Sequence, residues 1–117
     1  MSKNSIKLFE GQKVRSVWDE SKEEWYFSVV DIVVVLAESV DPKQYIKKMR
    51  SRDPELNSKW GTICTPLEAV AIDGKKRKIN VVDMAGAFRL IQSIPSKKAE
   101  PFKLWLAEVG KDRIEET

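Results

Sequence analysis

Residues 27–52 read FSVVDIVVVLAESVDPKQYIKKMRSR, and how this run folds decides the architecture. By propensity, Val29, Val30, Ile32, Val33, Val34 and Val35 favour a strand. Two local signals oppose that. Ser28 and Asp31 stand at capping-box spacing, and Phe27 and Ile32 stand where a hydrophobic staple closes a helix start. The spacing therefore predicts a buried helix from Val29 to Glu38. A second helix start follows at once: Asp41 can cap, Pro42 suits the first helical position, and Gln44 sits at the third. That helix is expected over Pro42 to Arg52, with Tyr45, Ile46 and Met49 on its apolar side. Asp53-Pro54 is read as its stop.

Upstream, the apolar-alternating run Ile6 to Phe9 ends at Glu10-Gly11. Lys13 to Trp18 alternates again, 19–24 is a polar turn, and Trp25-Tyr26-Phe27 follows. This predicts a small antiparallel meander. Downstream, residues 53–61 read as a polar loop holding Trp60, and Thr62 to Thr65 as a short strand. A hairpin is expected from Leu67 to Val82 about Asp73-Gly74, since a type I′ turn needs φ > 0 at both central positions. Asp83 opens a helix with the stripe Met84, Ala87, Phe88, Ile91 and Ile94, ended by Pro95. Pro101 begins a last helix that buries Phe102, Trp105, Leu106 and Val109, with Gly110 either ending it or weakening its middle. The expected fold is α+β: small antiparallel strands and a basic β-hairpin packed with about four helices. The chain, 1–117, is expected to form a single domain.

Bulk composition narrows the function classes. The 117 residues are 42% hydrophobic and carry a formal net charge of +3. That is enough for one core, and compatible with a polyanionic partner without requiring one. The chain contains no histidine, which removes the usual general base, the usual zinc ligand and every His-dependent triad. The single cysteine, Cys64, excludes an internal disulfide and a multi-cysteine zinc site. Gly74-Lys75 lacks the upstream glycine spacing of a phosphate loop. The acids at 19–20 and 23–24 fall in a turn and read as solvated. No enzymatic activity, cofactor or metal is expected. The N-terminus leads into no apolar signal region, and Ile32 to Ala37 is far shorter than a membrane span, so the expected location is cytoplasmic.

The cations are unevenly placed. The second helix carries Lys43, Gln44, Lys47, Lys48, Arg50 and Arg52, and the hairpin carries Lys75, Lys76, Arg77 and Lys78. The helix pair is compatible with a helix-turn-helix, and the hairpin resembles the wing of a winged-helix DNA binder. Lysines and arginines would neutralise phosphates; Gln44 could read adenine and Arg50 guanine. The bland alternatives are a solvated lysine-rich helix face and an edge strand guarded by lysines. All four tryptophans are read as packing residues, with base stacking as the alternative for Trp60.

Several stretches resemble the N-terminal domain of the BRO family found in phage antirepressors. They are Trp25-Tyr26-Phe27-Ser28-Val29-Val30-Asp31-Ile32, the Asp41-Pro42…Tyr45…Lys47 pattern, and the hairpin from Asp73 to Lys78. The longest is Arg89-Leu90-Ile91-Gln92-Ser93-Ile94-Pro95-Ser96 running on through Lys98 to Gly110, similar to the branch that contains bacterial DNA-damage-inducible protein D. The resemblance spans roughly Lys13 to Glu116. It implies a DNA-binding domain, usually the N-terminal part of a longer protein, and carries no catalytic residue to this chain. The favoured expectation is a DNA-binding module of an antirepressor or damage-response regulator. The alternative is a protein-interaction module that blocks a repressor or recombinase, using the aromatic and acidic side from Trp18 to Trp25, or Trp60.

Overall fold

The computed structural model describes residues 2–70 and 74–111. Three strands come first: β1 (Ser2–Phe9), β2 (Gln12–Asp19) and β3 (Glu24–Ser28). Phe9 pairs with Gln12 across Glu10-Gly11. Both of those residues have positive φ, 49° and 80°, which is the I′ condition and matches the right-handed strand twist.

β3 runs directly into α1 (Val29–Ala37). The Ser28 side chain accepts from the Asp31 N–H at 3.2 Å, and Glu38 closes the helix in the left-handed region, its N–H bonding the Val34 carbonyl at 3.0 Å. Capping thus overrides the β propensity of the valines, and the helix is buried on most sides through Val29, Ile32, Val33, Val35 and Leu36. The second helix, α2 (Pro42–Arg52), has the expected bounds, with Asp41 accepting from the Gln44 N–H at 3.2 Å.

The stretch read as a polar loop is instead a helix, α3 (Pro54–Ile63). Asp53 stops α2 and also caps α3: its carboxylate accepts from the Leu56 N–H at 3.1 Å while Pro54 takes the first turn. Asp53-Pro54 repeats the device of Asp41-Pro42, so the signal read only as a stop is also a start. The described residues therefore hold five helices rather than four. The strands expected at 62–65 and from Leu67 are one, β4 (Cys64–Val70), which pairs antiparallel with β5 (Lys76–Val82). α4 (Met84–Ser93) is capped by Asp83, and α5 (Ala99–Lys111) runs through Gly110.

The turn expected at Asp73-Gly74 lies on its Asp73 side outside the described residues; Gly74 has φ 84°. A two-residue turn there would set Val70 opposite Arg77 in an unbroken ladder, but Val70 stands opposite Lys76. The observed register places Leu67 against Ile79 and the buried Cys64 against the buried Val82. The shifted one would set Leu67 against Asn80. Matching apolar to apolar fixes the pairing.

The five strands form one antiparallel sheet in the order β1-β2-β3-β5-β4. Strand alternation divides its residues between two cores. Phe9, Val14, Trp18, Trp25, Phe27 and Val82 pack under the helices with Ile32, Met49, Leu56, Leu90, Phe102 and Leu106. Val17, Tyr26 and Val81 form a smaller cluster with Leu67 and Ile79. Trp18, Trp25 and Trp60 are buried. Trp105 is half-buried against the main core, and its indole N–H donates to the Leu8 carbonyl at 2.8 Å, tying α5 to β1.

Candidate nucleic-acid interface

The spacing of cations along α2 sorts them by face. Lys43, Lys47 and Arg50 follow i, i+4, i+7 and share one side with Ile46, while Gln44 and Lys48 lie a step around the helix. The Lys43 side looks onto a groove shared with β5. The groove, of about 690 Å³, is walled by Lys43 and Arg50 on one side and Arg77 and Lys78 on the other. Arg15 of β2 and Trp60 of α3 also line it. Its floor is apolar, with Val29, Ile46 and Ile79.

Two of its cations are held in place. Arg15 donates through Nε and Nη2 to the two oxygens of Asp31 at 2.9 and 3.0 Å, and its backbone N–H donates to the same carboxylate at 2.8 Å. The Asp31 hydrogen bond keeps the Arg15 guanidinium charged, raising its pKa against the opposing effect of burial. Arg50 donates to Asn57 Oδ1 at 2.9 Å, and its guanidinium carbon lies 4.9 Å from the Trp60 ring centre. Trp60 is thus a buried platform for a cation as well as a packing residue. Lys43 and Lys78 both line the groove and make no ion pair among the described residues.

The other sequence-level candidates are dispersed. Lys47 lines an adjoining hollow of about 300 Å³ with Lys43, Arg50, Ser51 and Asn57. Arg52 lies over the Tyr45 ring at 5.9 Å and lines a separate hollow beside Arg89. Gln44, Lys48, Lys75 and Lys76 are exposed and line none of these hollows. Arg15 was not visible as a site residue because its partner Asp31 is sixteen positions away in sequence. Its basic character beside a strand was the only hint.

Behind α2, Arg89 of α4 donates to Asp53 at 3.0 Å, and the Ser93 hydroxyl donates to the same oxygen at 3.2 Å. The Leu56 N–H, then Arg89, hold the Asp53 carboxyl below its ordinary pKa. This contact anchors the α2–α3 junction to α4. Burial pushes the Cys64 thiol up to about 11, so it is a packing group rather than a nucleophile. Among the described residues no group of three His, Cys, Asp or Glu side chains could hold a metal ion, and no helix is long and apolar enough to cross a membrane.

Fold and groove together define an α+β domain with an open, cation-walled groove set between a helix pair and a β-hairpin. The chain belongs to the BRO family: the model of the BRO family N-terminal domain matches residues 13–111, from the start of β2 to the end of α5. The family is one of DNA-binding-type N-terminal domains in phage antirepressor-like proteins. The match identifies the family and not a branch within it. No curated protein and no solved structure matches the chain.

Proposed function

We propose that this domain binds DNA through the groove between α2 and β5, in the service of a regulator of the phage antirepressor or DNA-damage-response kind, and catalyses no reaction. The observation that carries this reading is that cations from two elements distant in sequence, Lys43 and Arg50 from α2 and Arg77 and Lys78 from β5, line one groove. A merely solvated helix face and a lysine-guarded strand edge would have no reason to converge. In this reading the hairpin acts as a wing, and Arg15, Arg50 and Trp60 form a rigid base on which Lys43 and Lys78 close over phosphates. Lys47 and Lys48 extend the cationic surface along α2, and Lys75 and Lys76 extend it toward the hairpin tip. Neutralising phosphates with lysine and arginine gives sequence-tolerant affinity that falls with salt.

The test is titration of labelled single- and double-stranded DNA with the purified chain at several salt concentrations. Binding that weakens steeply with salt and is lost in the Lys43→Glu, Lys78→Glu double variant supports the reading. Absence of binding at low salt refutes it.

A further inference from the structure

A second concavity lies on the other side of β2. Arg15 and Trp18 are three positions apart on that strand, so their side chains leave it on opposite faces. Arg15 enters the cationic groove, while Trp18 enters a cleft of about 420 Å³. Trp18, Trp25, Met84 and Phe88 line this cleft with Glu23, Glu24 and Lys111; the Lys111 ammonium is paired with Glu108 at 3.7 Å, which leaves the two glutamates as its uncompensated charges. Its volume falls within the range of about 300–1,000 Å³ typical of ligand clefts.

Three features separate this cleft from an ordinary surface dip. Phe88 remains 37% exposed although it lies one helical turn beyond the Met84 start of α4. The adjoining turn, residues 19–24, holds four acids and one lysine, so apolar lining meets a field of negative charge. Gly110, in the last turn of α5, also lines the cleft. A Cβ there would come within 2.8 Å of the Met84 methyl, so the missing side chain is what lets Met84 lie across the wall.

We infer that this cleft is a docking site for a protein segment that presents an apolar anchor flanked by lysine or arginine. The anchor would lie on Trp18, Trp25, Met84 and Phe88, and the flanking cations would meet Glu23 and Glu24. Charge complementarity selects the occupant: DNA is repelled by the acidic edge, and an acidic peptide equally so. The aromatic floor already holds one cation of this chain, the Lys7 ammonium 4.6 Å from the Trp25 ring centre, so the flanking cations of the segment are assigned to Glu23 and Glu24 rather than to the rings. The cleft shares no residue with the cationic groove. The domain would therefore bind a protein segment and DNA at once.

The test uses two synthetic peptides of identical charge, one with two leucines between lysine pairs and one with both leucines replaced by serine. Binding is followed by the NMR shifts of the Met84 methyl and the Trp18 and Trp25 indole N–H groups. The expected result is that the leucine peptide binds roughly tenfold more tightly, because only it buries apolar surface. Shifts should be confined to those three reporters, affinity should fall as salt rises, and it should be lost in Phe88→Ser and in the Glu23→Lys, Glu24→Lys pair. DNA titration of the same variants should be unchanged or slightly tighter. Equal binding of the two peptides, shifts elsewhere, or insensitivity to both variants overturns the proposal. So does weakened DNA binding in Phe88→Ser, which would assign the cleft to the nucleic-acid interface. Concentration-dependent dimerisation abolished by Phe88→Ser would assign it to a second copy of the chain and overturn the proposal equally. The charge pair is exposed, so it remains informative if Phe88→Ser folds poorly.

Discussion

Replacing Lys43 and Lys78 together by alanine should remove two groove cations that make no ion pair among the described residues, while leaving the apolar lining intact. The size of the effect follows from counterion release. Each phosphate neutralised on duplex DNA contributes a slope of about −0.9 to log K against log salt. Losing two such contacts should flatten the slope by about 1.8. Between 50 mM and 200 mM salt, log concentration changes by about 0.6, so wild type should lose roughly twelvefold more affinity than the double variant over that interval. On single strands the slope per phosphate is about −0.7, and the corresponding factor is roughly sevenfold. Fluorescence anisotropy across the salt series reads this directly. The control is Lys13→Ala with Lys97→Ala, which removes the same charge from exposed positions outside the groove and the cationic surface that extends it. If control and test variants flatten the slope equally, net charge rather than the groove governs binding, and the reasoning fails.

Four further outcomes follow from the packing. Asp31→Ala leaves the Arg15 guanidinium without its carboxylate in a site where the two side chains are 15% and 24% exposed; urea denaturation should show a loss of about 2 kcal/mol, on the scale of hydrogen bonds to charged groups. The Asp53 carboxyl has a lowered pKa, so the unfolded chain takes its proton more readily than the folded one; its contribution is complete above about pH 4 and is lost as pH falls further, and Asp53→Asn should reduce the acid sensitivity of the melting temperature. Cys64 should resist a thiol reagent at pH 8 while folded and react on denaturation, since its thiol pKa is about 11. Gly86→Ala should destabilise by about 1–3 kcal/mol despite the gain in helix propensity, because the new Cβ would stand 2.9 Å from Val82 Cβ; a thermal melt at or above wild type would contradict that packing.

The parts of the fold legible in the sequence are those specified by residues close together in the chain. Ser28 and Asp31 defeat six apolar β-formers because a cap acts at the moment the helix starts, whereas strand propensity acts only through neighbours still to be found. Asp41-Pro42 gives α2 its start for the same reason. The hairpin was legible as a hairpin but not in its register, since the contacts that set it, Leu67 with Ile79 and Cys64 with Val82, form across the ladder rather than at the turn. Asp31 shows the limit most clearly. Its spacing from Ser28 announces a capping box, yet its carboxylate is engaged by Arg15 from another element. Local pattern located the residue, and tertiary structure chose its partner.

The misread helix and the incompletely read site have one cause. With residues 53–61 taken as a loop, α2 and β5 are two basic elements joined by an unspecified connection, and nothing brings them to one face. With α3 in place, Trp60 is fixed beneath Arg50, and Asn57 on the same helix holds the Arg50 side chain. Cys64, the cap of α3, then opens β4, so the helix hands the chain directly to the hairpin that forms the opposite wall. Because α3 packs against both α2 and β4, it links the two walls of the groove. Its stability therefore depends on Asp53, which ends one helix, begins the next and is anchored by Arg89. Loss of that carboxylate should loosen α2 relative to β5 before it unfolds the sheet, and DNA affinity should fall at temperatures where far-UV circular dichroism of Asp53→Asn is still native. If affinity and dichroism are lost together, α3 is only part of the core and the groove is set by the sheet alone.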